Sequence, residues 1–149
     1  MAEFYTRKQL RLPYYQVLPE LTFFITVCVE NREKLICEIL PAQTEDELPQ
    51  VVLTREGRIA DQYLRSIPGL DCYVIMPNHV HMILRNREGE SISGNIRSFK
   101  TLSTKEIGRS VWQRSFYDHA IRDEQDYLSR RKYLEENPVK WSLDKYYQK

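Results

Sequence analysis

The stretch CYVIMPNHVHMIL, residues 72–84, constrains this chain more than any other. Two apolar runs flank the dipeptide Pro77-Asn78. Proline pre-sets φ for one turn position and asparagine tolerates the next, so residues 71–85 are expected to form an antiparallel hairpin. Side chains alternate along a strand. Val80, Met82 and Leu84 therefore share one face, and His79, His81 and Ile83 share the other. If the first set packs into the core, the histidines project from the opposite face, roughly 7 Å apart at their Cα atoms. Two neutral imidazoles at that spacing can converge on one divalent metal. A bare His-x-His is more often a pair of ordinary surface histidines, so the motif needs a third ligand.

The surrounding segments suggest a frame. LTFFITVCVE, residues 21–30, is rich in β-branched and aromatic residues and reads as a strand. Residues 31–50 form an irregular, partly acidic excursion with room for short strand pieces. In residues 55–67, Ile59, Tyr63 and Ile67 recur at helical spacing, and Pro68-Gly69 stops the helix. DCYVIM is a short apolar strand expected to be buried on both faces. After the hairpin, Ile92, Ile96, Phe99 and Leu102 mark a second helix. VWQRSFYDHAI is extended. Asp123 reads as the N-cap of a third helix running to about Glu136, because Pro138 lacks the N–H that would continue it. The order matches a ferredoxin-like (RRM-like) α+β fold, with an antiparallel βαββαβ sheet and helices on one face, followed by a C-terminal helix. In that topology the histidines lie on a central strand.

At 149 residues the chain reads as one domain, residues 1–149, with a formal net charge of +1. Basic runs nevertheless stand apart from acidic ones: YTRKQLR, IRSFKTLSTKEIGR and SRRK against EDELPQ. Such patches can meet a phosphate backbone, although a solvated mixed surface explains each equally well. Cys28, Cys37 and Cys72 form no CxxC pair. With no apolar leader and no membrane-length run, they suggest a cytoplasmic, reducing setting.

The last predicted helix offers partners for the histidines. Tyr133 and Asn137, in RRKYLEENPVKW, are i and i+4 and lie on one helix face. Laid across the open sheet face, that helix can bring an amide oxygen and a phenol to the pair. Glu136 is a second candidate for the third ligand. Taken singly, a rim aromatic and a pre-proline asparagine account for these two residues as well. His119, which shares a strand face with Tyr117 and Ile121, reads as a structural or DNA-proximal residue.

With His79, Val80 and His81 inside VIMPNHVHMIL, and Tyr133 and Asn137 inside YLEENPVKW, the chain resembles the single-tyrosine HUH transposases. The likeness is to the REP-associated tyrosine transposase branch in particular. IRSFKTLSTKEI and VWQRSFYDHAIRDEQD also resemble family segments. Many single-tyrosine members carry glutamine where Asn137 stands, whereas this branch accepts asparagine.

The resemblance implies cleavage and rejoining of single-stranded DNA, including DNA hairpins, through a 5′-phosphotyrosine and a free 3′-OH. Tyr133 would be the nucleophile, and His79, His81 and Asn137 the ligands of Mg²⁺ or Mn²⁺. A free phenol has a pKa of about 10, so it needs such help at neutral pH. Arg7, Lys8, Arg11, Arg97, Lys100, Lys105 and Arg114 are candidate phosphate contacts, and SRRK adds positive charge beside the nucleophile. Tyr117 and Trp112 are candidate stacking residues, Trp112 equally a core residue. The family works as a monomer or a homodimer.

Of the other tyrosines, Tyr127 has a cation, Arg131, one turn on, and Tyr146 and Tyr147 lie in a tail expected to be mobile. Two competing readings remain. One is a replication-initiator or relaxase nuclease. The other is a non-catalytic RRM-like binding module, which needs exposed aromatics on its central strands.

Overall fold

A computed structural model describes residues 21–86 and 89–143. The elements are β1 (Leu21–Cys28), a 3₁₀ turn (Glu30–Arg32), β2 (Cys37–Leu40), β3 (Gln50–Leu53) and α1 (Arg55–Leu64). They continue as β4 (Leu70–Met76), β5 (His79–Asn86), α2 (Ile92–Ile107), β6 (Tyr117–Ile121) and α3 (Glu124–Leu143). The fold is α+β. Four strands form one antiparallel sheet in the order β4-β5-β1-β6, and β2 and β3 form a separate two-stranded ribbon.

Period-two alternation divides this sheet into two cores. Ile25, Val27, Val80, Met82 and Leu84 pack with Ile59, Ala60 and Leu64 of α1 and with Ile96, Phe99 and Ile107 of α2. On the other face, Phe24, Ile83 and Ile121 pack with Tyr127 and Leu134 of α3. Hydroxyls cap the first two helices: Gly57 N–H donates to Thr54 Oγ1 and Gly94 N–H to Ser91 Oγ, both at 3.0 Å. The Asp126 N–H donates to Asp123 Oδ1 at 2.8 Å and closes the first turn of α3. Gly57 is required where it stands, because a Cβ there would lie 1.8 Å from the Ile36 carbonyl oxygen.

Several expectations need correction. β4 is an edge strand, so of the run expected to be doubly buried only Ile75 and Met76 are buried. The apolar stripe of α2 passes through Ser103, fully buried, while Leu102 is 46% exposed. Ser103 fits there because its hydroxyl accepts the Trp112 indole N–H at 3.0 Å and donates to the Phe99 carbonyl at 2.6 Å. Within the expected strand over 111–121, regular pairing begins only at Tyr117, and Trp112 makes an isolated bridge to Val29.

The largest departure is α3, which continues through Pro138 to Leu143 instead of ending near Glu136. An interior proline costs about 3 kcal/mol. Two features offset it, one bond within the helix and one buried side chain. Asn137 Nδ2 donates to the Tyr133 carbonyl at 2.7 Å, and Trp141, in the turn beyond the proline, is buried at 5% exposure. Burying such a side chain stabilises by about 2–3 kcal/mol.

Candidate active site

The register places Thr26 opposite His81 and Cys28 opposite His79, with Val74 and Met76 beyond them on β4. Both imidazoles point to the α3 face. Their ring centroids are 4.6 Å apart, and the residues are 8% and 6% exposed. His79 Nδ1 lies 2.7 Å from Asn78 Oδ1, while Asn78 Nδ2 donates to the Arg32 carbonyl at 3.4 Å. That orientation makes Asn78 Oδ1 the acceptor, so His79 Nδ1 carries the proton and Nε2 keeps its lone pair.

His81 Nδ1 lies 2.8 Å from Thr26 Oγ1, and His81 Nε2 is buried without a hydrogen-bond partner among the described residues. With Nδ1–H donated to Thr26, Nε2 presents a second lone pair. Burial lowers the His79 pKa to about 4, the nearby Arg32 cation adding to the effect and the Asn137 side chain opposing it. Burial, with His79 as a neighbour, lowers that of His81 to about 3. At neutral pH both rings are uncharged donors.

α3 closes this face. The Tyr133 ring lies 5.3 Å from His81 and meets the edge of Phe24 at 5.9 Å. Asn137 is 4% exposed and acts on His79. Because its NH₂ group is held by the Tyr133 carbonyl, its Oδ1 remains as the acceptor. Glu136 instead pairs with Lys132 at 3.9 Å. Among the described residues no three His, Cys, Asp or Glu side chains gather as a metal cluster. A site here would be two imidazole nitrogens and an amide oxygen. The orphaned His81 Nε2 and the two fixed ring orientations fit such a divalent-ion site.

The remaining candidates separate clearly. Tyr127 is buried, donates to Asp71 Oδ2 at 2.6 Å and accepts from Arg131 at 2.8 Å; burial and the Asp71 carboxylate push its phenol far up. Tyr146 and Tyr147 lie outside the described residues. His119 bonds Asp126 at 3.0 Å and ties β6 to the start of α3. Trp112 is core, 6% exposed and packed on Phe99. Tyr117, opposite Thr26 on β6, is 67% exposed. The binding-module reading asks for exposed aromatics on the inner strands; Phe24 of β1 is 7% exposed beneath α3.

Arg7, Lys8 and Arg11 lie outside the described residues. Arg97, Lys100 and Lys105 belong to α2, on the sheet face opposite the histidines. Arg97, Lys100 and Arg114 line one groove with Ser93 and Phe116. Lys100 is already engaged, donating to the carbonyls of Gln113, Arg114 and Ser115 at 2.8–3.2 Å.

Sequence reasoning passed over Thr26 and Asn78, which orient the rings, and the cations beside them: Arg32, Lys34 and Lys140. The alternation of β1 relative to the histidine strand could have pointed to Thr26. The lone cations carry no signal as a run.

No family model matches the chain. An uncharacterized protein of Haemophilus influenzae is 30% identical, the match spanning 98% of this chain and 96% of that protein. The REP-associated tyrosine transposase of Escherichia coli is 29% identical over 80% of this chain and 67% of its own length. Among solved structures, a REP-associated tyrosine transposase bound to a REP hairpin superposes with a TM-score of 0.58 at 24% identity, covering 91% of this chain and 74% of that one.

Proposed function

The chain belongs to the REP-associated tyrosine transposases and is an enzyme of that type, and from this premise we propose that it cleaves and rejoins single-stranded DNA through Tyr133. The observation that carries the reading is the convergence of Tyr133, His81 and His79 on one buried face, with His81 Nε2 unpartnered among the described residues. The strand order, with α1 and α2 on the opposite face, supports a ferredoxin-like layer to which α3 adds the nucleophile.

In this reading the Tyr133 oxygen attacks a backbone phosphorus, forming an O–P bond as the P–O3′ bond breaks. The phenol releases its proton to solvent and the departing 3′ oxygen takes one up, leaving a free 3′-OH and a 5′-phosphotyrosine. Attack by another 3′-OH reverses the step and needs no ATP, because the ester keeps the bond energy.

Phe24 and the His81 ring hold the phenol against the sheet, so the nucleophile is positioned before substrate arrives. Asn78 and Thr26 fix the two imidazoles, and the NH₂ bond to the Tyr133 carbonyl fixes the Asn137 amide. His79, His81 and Asn137 would hold Mg²⁺ or Mn²⁺, which supplies Lewis-acid stabilisation of charge at the scissile phosphate when bound.

A hairpin beside the cleaved strand is the substrate suggested by the hairpin-bound relative. Among the described residues no helix is long and apolar enough to cross a membrane; a cytoplasmic setting goes with three free thiols.

The test is incubation of a labelled single-stranded oligonucleotide carrying a hairpin with Mn²⁺. Wild type should cut it, and His81→Ala, still folded, should not. Normal cutting by His81→Ala would overturn the ligand assignment.

A further inference from the structure

Three cations that belong to no basic run flank the site. Arg32 and Lys34 lie in the loop after β1. Asn31 and Arg32 both adopt left-handed backbone, φ 59° and 55°, a conformation that costs non-glycine residues energy. The loop is nevertheless fixed: Arg32 N–H donates to the Val29 carbonyl at 2.9 Å, and the Arg32 carbonyl accepts from Asn78. Asn78 is also the residue that orients His79, so the Arg32 backbone and that ring share one support. The Lys34 ammonium sits 5.9 Å from the Trp141 ring, itself 6.5 Å from His79. On α3, the Lys140 ammonium sits 5.4 Å from the Tyr133 ring.

None of the three has a carboxylate within ion-pair distance among the described residues, unlike Arg65, Arg109 and Lys132, which pair with Asp61, Glu33 and Glu136. The rings beneath Lys34 and Lys140, the Trp141 indole and the Tyr133 phenol, are neutral and compensate none of their charge. An anion would.

We propose that Arg32, Lys34 and Lys140 form a clamp for backbone phosphates of the single strand, Lys140 nearest the phosphate attacked by Tyr133 and the loop pair on the far side of His79. The proposal rests on the cleavage reading above and adds the residues that grip the strand at the reacting bond. These differ from the α2 cations, which lie across the sheet.

Binding of a labelled oligo(dT) in EDTA, over a salt series, tests the clamp without any cleavage. Each phosphate contact on a single strand contributes about 0.7 to the slope of log K against log salt. The triple variant Arg32→Gln/Lys34→Gln/Lys140→Gln should therefore lose about 2 of that slope. Between 50 and 200 mM salt, wild-type affinity should fall roughly 20-fold further than the variant's. Lys140→Arg should keep the slope, as should Arg65→Gln just after α1, and thermal unfolding checks that each variant is folded. A triple variant with the wild-type slope, or a wild type that does not bind, overturns the clamp. A wild type that binds with this slope yet never cleaves upholds the clamp and refutes the cleavage reading.

Discussion

Lowering the pH in the absence of metal should weaken the fold through the two buried imidazoles. Both titrate near 6.5 when unfolded, and in the folded chain at about 4 for His79 and about 3 for His81. Between those values the unfolded state binds more protons, so stability is fully present above pH ~6.5 and is lost as pH falls toward the folded values. At pH 5 nearly every unfolded histidine is charged and nearly every folded one is neutral. Each ring then costs about 2 kcal/mol relative to pH 7.5, and the pair on the order of 4 kcal/mol. That is a large share of a typical domain's stability. Urea unfolding in EDTA at pH 7.5 and pH 5 measures it. The double variant His79→Gln/His81→Gln should lose most of the difference. A wild type equally stable at both pH values, or a double variant with an undiminished drop, refutes the reasoning.

Other outcomes follow from the same geometry. Mn²⁺ at about 100 times its Kd should stabilise wild type by about 2.7 kcal/mol in thermal unfolding without DNA, and His81→Gln should show no such shift. Asn137→Ala removes the donor to the Tyr133 carbonyl; it should cost about 1–2 kcal/mol in urea unfolding and abolish the Mn²⁺ shift. Trp112→Phe should lower stability by about 1–2 kcal/mol by removing the donor to Ser103, and leave single-strand affinity unchanged. Tyr117→Ala should do the reverse, weakening binding by about 1–3 kcal/mol with stability intact; the opposite pattern in this pair would return Trp112 to the DNA surface.

The histidine face was legible because period two is a rigid rule: once the Pro77-Asn78 turn was recognised, His79 and His81 had to share a side. The helical spacing of Tyr133 and Asn137 was legible for the same reason. The end of α3 was not. The proline rule is local, whereas the burial of Trp141 depends on packing that the helix sequence alone does not show. Leu102 and Ser103 show a similar limit, since hydropathy favours the leucine while the buried hydroxyl is stabilised by a distant indole. Charge was the least legible property. The run around Arg97 and Lys105 drew attention by density, yet it lies across the sheet from the histidines. Arg32, Lys34 and Lys140 are scattered in sequence, and only the contact of Lys34 with Trp141 shows that the β1–β2 loop lies against α3.

The most direct test of the account is where the DNA becomes attached. Wild type incubated with a labelled single-stranded hairpin substrate and Mn²⁺ should form a covalent adduct, and peptide mass mapping should place the nucleotide on Tyr133. Tyr133→Phe should bind the same DNA and form no adduct. An adduct that persists in Tyr133→Phe, or maps to Tyr127 or Tyr117, would contradict the assignment.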